Sequence, residues 1–268
     1  MSDYPLGTDP LEFERLRFQH EVWSPVTNAF LDRLGVKPGL RVLDLGCGPG
    51  FVSLELAERV GPSGEVVALD EAAHWTAWLA GKARERGLAQ LATRTGRAQE
   101  LELPAGHFDL VFSRWVFSFF SDPAAIAARA ARALKPGGAL AIQDYNHEGV
   151  SVFPESEGFR AVVRATRALY RTSGGDQFVM GKIAAILDAA GLELAELRPN
   201  VLAGGPASGV FRWADSFFPR FSAVYEQKGL MSAEERRAFL ADWEERKRDP
   251  HALFYSPMVV DALGRRGA

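Results

Sequence analysis

A short apolar stretch that runs directly into closely spaced glycines constrains the fold of this chain more than any other feature. Residues 42–50 read Val-Leu-Asp-Leu-Gly-Cys-Gly-Pro-Gly, and a helical pattern follows over residues 52–60. Gly46 and Gly48 have no Cβ atom, so the backbone can approach a ligand closely, and the N-terminus of a helix presents unpaired N–H groups beside it. The pattern predicts a buried strand, a ligand-binding loop and a helix, which is the opening of an α/β fold.

The rest of the chain extends this pattern. From Arg41 to Asp144, short apolar runs alternate with amphipathic segments, which indicates βαβ units and a parallel sheet. Strands are predicted at residues 41–45, 65–69, 92–95, 108–112 and 139–144, and helices at 52–60, 72–86 and 123–134. Two further strands, 192–201 and 256–263, are expected within a mostly helical remainder. Before Arg41, apolar positions interrupted by Ser24 and Pro25 predict two short helices.

Composition narrows the class of protein. The 268 residues are 47% hydrophobic and 24% charged, which is typical of a globular protein. The net charge of −3 argues against a nucleic-acid partner. One cysteine cannot form an internal disulfide, no charged-then-apolar leader opens the chain, and no apolar run approaches the ~18 residues that span a bilayer. We therefore expect a cytoplasmic protein that binds neither nucleic acid nor membrane.

Two phosphate-binding interpretations of the glycine loop fit the residues poorly. A dinucleotide fingerprint needs glycine or alanine at the position that Phe51 occupies, and Gly50 comes one position too early. A P-loop needs a Lys-Ser/Thr pair, whereas Phe51 and Val52 follow Gly50. The loop therefore favours a nucleoside ligand without a pyrophosphate.

Acidic residues at the strand ends point to one such ligand. Asp44, next to the loop, suits a cationic ammonium or sulfonium group better than a phosphate. Asp70 closes the second predicted strand roughly 20 residues further along, where a carboxylate accepts hydrogen bonds from both ribose hydroxyls, and Glu71 can share that task. Together with the glycine loop, these acids favour S-adenosylmethionine.

Four motifs occur in the order found in one family. They are Val42–Gly50, the strand Val66–Asp70, the strand Phe108–Arg114 and the turn Leu134–Gly138. In these motifs the chain resembles the class I S-adenosylmethionine-dependent methyltransferases, in particular the small-molecule group related to ubiquinone and menaquinone biosynthesis enzymes. The resemblance covers roughly residues 35–144.

The resemblance implies roles for individual residues. Asp44, Gly46 and Gly48 would contact the methionine part of the cofactor, and Asp70 the ribose. The adenine would meet residues after the second and third strands: Glu71, Trp75, the Ala98 backbone N–H, and Gln99 or a water. Arg97 departs from the family, which often has an aspartate there. Gln19 or Arg15, on an N-terminal helix, would reach the methionine carboxylate or simply form a solvated helix face.

The methyl acceptor is expected beyond the carboxyl ends of the fourth and fifth strands, as in other open α/β sheets. This places Ser113 and Arg114 beside the cofactor, and Asp144, Tyr145 and His147 as candidates for a general base, with His147 preferred. His20 has a similar claim, and no metal ligation is expected. The aromatic stretch Phe211–Tyr225, with Phe117, Phe119 and Phe120 opposite, is either an apolar pocket wall or part of the core.

The predicted architecture is an α/β fold: a Rossmann-like, doubly wound, seven-stranded sheet with its last strand antiparallel, carrying a helical cap. Residues 1–34 would form a lid, 35–150 the cofactor-binding core, and 151–268 the rest of the sheet and the substrate cap. The predicted reaction is methyl transfer from S-adenosylmethionine, leaving S-adenosylhomocysteine, to oxygen, nitrogen or carbon of a small, partly apolar molecule, by a monomer or homodimer. Alternatives are methylation of protein or transfer RNA, a nicotinamide oxidoreductase, and a non-catalytic binder.

Overall fold

The structure, a computed structural model, describes residues 10–100 and 102–267. Its strands are β1 (Arg41–Leu45), β2 (Glu65–Asp70), β3 (Leu91–Thr95), β4 (Phe108–Arg114), β5 (Leu134–Asn146), β6 (Ser151–Phe153), β7 (Leu192–Asn200), β8 (Ala203–Gly204), β9 (Leu253–Tyr255) and β10 (Met258–Arg266). Its α-helices are α1 (Pro10–Arg33), α2 (Phe51–Val60), α3 (Ala73–Glu85), α4 (Pro123–Ala133), α5 (Glu157–Thr172), α6 (Ile183–Ala189), α7 (Gly209–Gln227) and α8 (Ala233–Arg248).

Seven of the strands in the described residues form one sheet, in the order β3-β2-β1-β4-β5-β10-β7. The first five run parallel, and β10 lies antiparallel to both β5 and β7. This confirms the predicted doubly wound sheet with an antiparallel last strand. The strand order reverses beside β1, so the carboxyl ends of β1, β2, β4 and β5 converge at one edge, where α/β sheets hold ligands.

The alternating side chains of the strands bury both faces of the sheet. In β1, Val42 packs into a cluster with α2 and the end of α1, whereas Leu43 and Leu45 pack into the opposite cluster with α4 and α6. Parallel strands covered by helices on both sides read as continuous apolar runs. This is why β1, β2 and β4 were predictable from the sequence.

The prediction of two N-terminal helices is wrong, because α1 runs without a break from Pro10 to Arg33 with Pro25 inside it. A proline in a helix removes one N–H and leaves the carbonyl four residues earlier without its usual donor. Here the Ser24 hydroxyl donates to that carbonyl, the oxygen of Glu21, at 3.2 Å. The serine next to the proline therefore supports the helix instead of ending it.

Helices α5, α7 and α8 form a cap with its own aromatic core over the end of the sheet. Trp23 of α1, Phe159, Phe211 and Trp243 are buried in this core together with Phe254 of β9. Strands β6, β9 and β8 form a small antiparallel sheet beneath it, which the sequence analysis did not predict. Within the described ranges, no helix is both long and apolar enough to cross a bilayer.

Candidate active site

A cavity of about 560 Å³ opens at the carboxyl edge of the sheet. The loops after β1, β2, β3, β4 and β5 form its floor and sides, and α1 and α7 lie over it. Its size is in the usual range of small-molecule sites. Most of the residues expected to bind the cofactor line this one cavity: Gln19, Asp44, Gly46, Gly48, Asp70, Glu71, Trp75, Arg97, Ala98, Gln99 and Arg114.

The glycine loop between β1 and α2 has a backbone that other residues rarely adopt. Gly46, Gly48 and Gly50 have φ angles of 75°, 54° and 80°. A Cβ atom on Gly46 would lie 2.4 Å from Val116 Cγ2, whereas one on Gly48 would meet open space. Gly46 therefore permits close packing of protein against the loop, and Gly48 leaves room over the loop for a ligand.

Asp70 fastens this loop from the neighbouring strand. Its Oδ2 accepts the Gly48 N–H at 2.8 Å, and its Oδ1 accepts the Ala72 N–H at 2.9 Å. Burial raises the pKa of the carboxyl group, and the two backbone N–H donors oppose this rise. Each carboxylate oxygen has a further lone pair. The side chain can therefore hold the loop and still accept hydrogen bonds from a ligand.

Asp44 brings a buried carboxylate to the floor of the cavity. It is 3% exposed, and the Ser53 hydroxyl donates to its Oδ2 at 2.5 Å. Burial raises the pKa of Asp44 to about 6, against the opposing effects of the Ser53 hydrogen bond and of nearby Arg114. A buried carboxylate that lines a cavity is a natural partner for a cationic ligand group.

Arg114 is held at the cavity by a chain of buried hydrogen bonds. Its guanidinium donates to Thr27 Oγ1 at 3.0 Å, Thr27 donates to Gln143 Oε1 at 2.6 Å, and Gln143 donates to Asp261 at 2.6 Å. Burial lowers the pKa of Arg114 to about 10, so it stays cationic at neutral pH. The chain links α1, β4, β5 and β10, and it fixes the cation beside Asp44.

The first half of α1 contributes a polar cluster to the cavity wall. Arg15 donates to both carboxylate oxygens of buried Glu12 at 2.7 and 2.9 Å and to Gln19 Oε1 at 2.8 Å. Trp213 of α7 donates its Nε1–H to the same Gln19 oxygen at 3.0 Å. Both Arg15 and Gln19 line the cavity. Neither side chain is solvated. This face of the helix is therefore buried and polar, and the alternative of a solvated helix face does not apply to it.

The part of the cavity expected to take an adenine lies beside β2 and β3. Trp75 is buried there and packs on Phe13, with ring centroids 5.6 Å apart. Arg97 Nε lies 3.8 Å from Glu71 Oε2 near the rim. The resemblance implies an aspartate at position 97. The chain instead has Arg97, which is directed toward Glu71.

Two of the expected site residues lie away from the cavity, which corrects those expectations. The Ser113 hydroxyl donates to the Leu45 carbonyl at 3.0 Å, and its side chain faces the opposite way from that of Arg114, which lines the cavity. Asp144 is fully buried and accepts the N–H groups of Ser118 and Tyr145 at 3.1 and 2.7 Å. Asp144 thus holds the loop after β4 and does not line the cavity.

Tyr145 and His147 do line the cavity. Burial raises the pKa of the Tyr145 hydroxyl, so it stays protonated at neutral pH. Burial, with nearby Arg167, lowers the pKa of His147 to about 3, and Arg167 Nε donates to His147 Nδ1 at 3.3 Å. His20 instead lies against Arg114 and Glu55. Among the described residues, no group of three or more His, Cys, Asp or Glu has the geometry of a metal site.

The acceptor side of the cavity has aromatic walls. The stretch 211–225 is partly pocket wall and partly core. Trp213, Phe217 and Phe218 line the cavity, whereas Phe211, Phe221 and Tyr225 are buried in the cap core. Trp115, Tyr170 and Gln177 also line this side. Trp115 directly follows the fourth strand, where the acceptor was expected, whereas the sequence analysis did not single out Tyr170 or Gln177 as site residues.

The chain is similar in sequence and in fold to known methyltransferases. Residues 36–185 match the model of a family described as "Methyltransferase domain". The chain is 34% identical over 186 residues to a ubiquinone biosynthesis O-methyltransferase of Hahella chejuensis, which covers 67% of this chain and 73% of that protein. It is 41% identical over 122 residues to the nocamycin O-methyltransferase of Saccharothrix syringae, covering 46% of this chain and 44% of that protein.

The chain thus spans less than half the length of the nocamycin enzyme. Among solved structures, a SAM dependent methyltransferase from Aquifex aeolicus superimposes with a TM-score of 0.55 at 24% identity, over 71% of this chain and 92% of that one. At this identity the likeness bears on the fold alone. It agrees with the doubly wound sheet described above.

Proposed function

The chain belongs to the methyltransferase domain family, and we propose that it transfers a methyl group from S-adenosylmethionine to a small, partly apolar molecule. The observation that carries this proposal is the convergence of a glycine loop, Asp44 and Asp70 on one cavity. Bound there, S-adenosylmethionine supplies an electrophilic methyl group on a sulfonium. The residues present fit S-adenosylmethionine. The buried carboxylate of Asp44 suits its cationic end, Gly48 leaves room over the loop, and the fixed carboxylate of Asp70 can accept hydrogen bonds from its ribose.

The acceptor is proposed to be small because the space beside the cofactor residues is enclosed by the cap. Trp213, Phe217 and Phe218 of α7 and Phe119 and Tyr170 opposite them form apolar walls. Such walls exclude water and favour a partly apolar guest. We also propose a cytoplasmic location and a monomeric or homodimeric state. In the same proposal, residues 1–34 act as a lid and residues 151–268 as a substrate cap. Residues 1–9 lie outside the described part of the chain.

Positioning is the proposed source of most of the rate enhancement. A base at the acceptor needs a free lone pair within reach. Tyr145 stays protonated, His147 Nδ1 accepts a hydrogen bond from Arg167, and Asp144 lies beneath the loop after β4. Tyr145 and His147 therefore shape the cavity and orient the acceptor, and Asp144 holds the loop beside them. A proton released in the reaction leaves to solvent.

The direct test is incubation of the protein with methyl-labelled S-adenosylmethionine and a metabolite extract, followed by identification of the labelled product. We expect label in one class of small molecules and none in protein or RNA. We also expect S-adenosylhomocysteine, and not a nicotinamide dinucleotide, to raise the melting temperature. Stabilisation by S-adenosylhomocysteine without turnover of any metabolite would instead indicate a non-catalytic binder.

Cofactor affinity is expected to depend on pH through Asp44. Its pKa of about 6 means that the group is largely ionised at pH 8 and largely protonated at pH 5. The cationic amino group of S-adenosylhomocysteine favours the ionised form, so binding below pH 6 requires loss of a proton. Kd is therefore expected to rise about tenfold per pH unit below pH 6, as measured by isothermal titration calorimetry.

The variant Asp44→Asn provides the control for this titration. It keeps an oxygen acceptor for the Ser53 hydroxyl but cannot ionise. We expect weaker binding at pH 8 and a nearly flat pH profile. A wild-type Kd that stays constant from pH 8 to pH 5 would show that Asp44 does not face the cationic group.

A further inference from the structure

Two enclosed polar atoms on the acceptor side of the cavity have no hydrogen-bond partner within residues 10–100 and 102–267. Gln177 is 4% exposed and lines the cavity, and its Oε1 has no hydrogen-bond partner among the described residues. The same holds for the indole Nε1 of Trp115, which also lines the cavity. Buried polar groups in folded proteins are nearly always paired, and an exception in a binding cavity calls for a ligand. One atom is an acceptor and the other a donor.

His147 adds a second donor beside them. Arg167 Nε donates to its Nδ1, and an Arg167 terminal nitrogen also donates to the His147 carbonyl. An imidazole whose Nδ1 accepts a hydrogen bond carries its proton on Nε2. Burial lowers the pKa of His147 to about 3, so the ring is neutral. In this tautomer the residue donates a hydrogen bond and has no lone pair left for proton abstraction.

The backbone holds these groups in place before any ligand binds. The His147 N–H donates to the Gln177 carbonyl at 3.0 Å, and the Asp176 N–H donates to the Ser118 carbonyl at 2.8 Å. A Cβ atom on Gly175 would lie 2.4 Å from that same Ser118 oxygen, so the turn packs directly on the loop after β4. A fixed turn keeps the Gln177 amide from relaxing toward water.

Aromatic contacts connect Trp115 to His147 through Tyr145 and define a slot. Trp115 and Tyr145 are stacked with centroids 6.1 Å apart, and Tyr145 meets the His147 ring edge-on at 6.1 Å. Phe119 and Tyr170, stacked at 4.8 Å, also line the cavity. Flat apolar surfaces around a few fixed polar atoms suit a planar ring system.

We propose that Trp115, His147 and Gln177 form an acceptor-recognition triad that selects a planar ring compound carrying both a hydroxyl and a carbonyl group. The hydroxyl donates to Gln177 Oε1, and the carbonyl oxygen accepts from Trp115 Nε1–H or His147 Nε2–H. Because an amide cannot take up a proton, the hydroxyl held by Gln177 is one that the reaction leaves in place. The inference rests on the proposed function, since it names the class of acceptor for the same cavity.

The test measures binding of α-tetralone and its phenolic hydroxy isomers to protein saturated with S-adenosylhomocysteine. Saturation is verified first, by calorimetry; failure at that stage argues against the proposed function and not against the triad. With saturated wild-type protein, we expect at least one hydroxy isomer to bind about tenfold or more tightly than α-tetralone, because a buried acceptor left unpaired discriminates strongly.

Three variants separate recognition from folding. Gln177→Met keeps the length of the side chain, and we expect it to bind S-adenosylhomocysteine normally and to lose the preference for the hydroxyl. Gln227→Met makes the same change at the exposed C-terminal end of α7, outside the cavity, and we expect the preference to remain. Trp115→Phe should weaken the binding of α-tetralone and of its hydroxy isomers by the same factor. The proposal is overturned if no isomer binds more tightly than α-tetralone, or if the preference survives in Gln177→Met.

Discussion

Replacing Asp70 by alanine is expected to weaken S-adenosylhomocysteine binding about 100-fold or more. The carboxylate accepts the N–H groups of Gly48 and Ala72, and its remaining lone pairs are those proposed to bind the ribose hydroxyls. A hydrogen bond to a charged group contributes about 1.5–3 kcal/mol, and two are lost with the ligand. The loop also loses its fastening to β2. Calorimetric titration of wild type and variant at pH 8 measures the effect.

The neighbouring acid offers a matched control. Glu71 also lines the cavity but lies at its rim, near Arg97. We expect Glu71→Gln to weaken binding less than about tenfold, in line with the small contribution of partly exposed ion pairs. Asp70→Asn should give an intermediate loss, since one oxygen acceptor remains. If Asp70→Ala bound S-adenosylhomocysteine as wild type does, the placement of the ribose at Asp70 would be wrong.

Replacing Trp243 by alanine is expected to lower the free energy of unfolding by about 3–5 kcal/mol. Its indole is 2% exposed and stacks on Phe159 and Phe211, and its Nε1–H donates to Asp215 at 2.7 Å. Removing it opens a cavity where α5, α7 and α8 meet. Urea unfolding followed by circular dichroism measures the loss.

Phe217 is the contrasting position on the same cap. It is only half-buried, it lines the ligand cavity, and Arg15 lies over its ring at 5.5 Å. We expect Phe217→Ala to cost less than half as much stability as Trp243→Ala, because less of the ring is removed from water, and to weaken acceptor binding instead. Equal losses at the two positions would show that the core and the cavity wall are not distinct.

The parts of the fold that were predictable depend on local pattern. Strand β1 and the glycine loop follow from a buried apolar run and from glycine's access to positive φ, and Asp70 follows from its place at the end of β2. The family match confirms the resemblance that these motifs suggested. All the cofactor residues expected on loops after β1, β2 and β3 line the cavity, and their roles there remain proposals.

The parts that were not predictable depend on register and on distant contacts. Ser113 and Arg114 are adjacent, yet successive side chains of a strand face opposite ways, so only one faces the cavity. The continuity of α1 depends on a single hydroxyl of Ser24. Gln177 is distant in sequence from Trp115, and only the packing of its turn on the loop after β4 brings both to one cavity.

The two halves of helix α1, on either side of Pro25, contact different parts of the protein. After Pro25, its residues Thr27, Phe30 and Leu31 are buried, and Arg33 pairs with Asp261 at 2.7 Å. Before Pro25, the helix lies over the cavity through Arg15 and Gln19. Hydrogen bonds among Arg15, Gln19 and Trp213 join the first turns to α7 across the cavity. We therefore expect substitutions of Arg15 or Gln19 to change the rate of ligand release, and substitutions of Thr27 or Leu31 to lower the melting temperature.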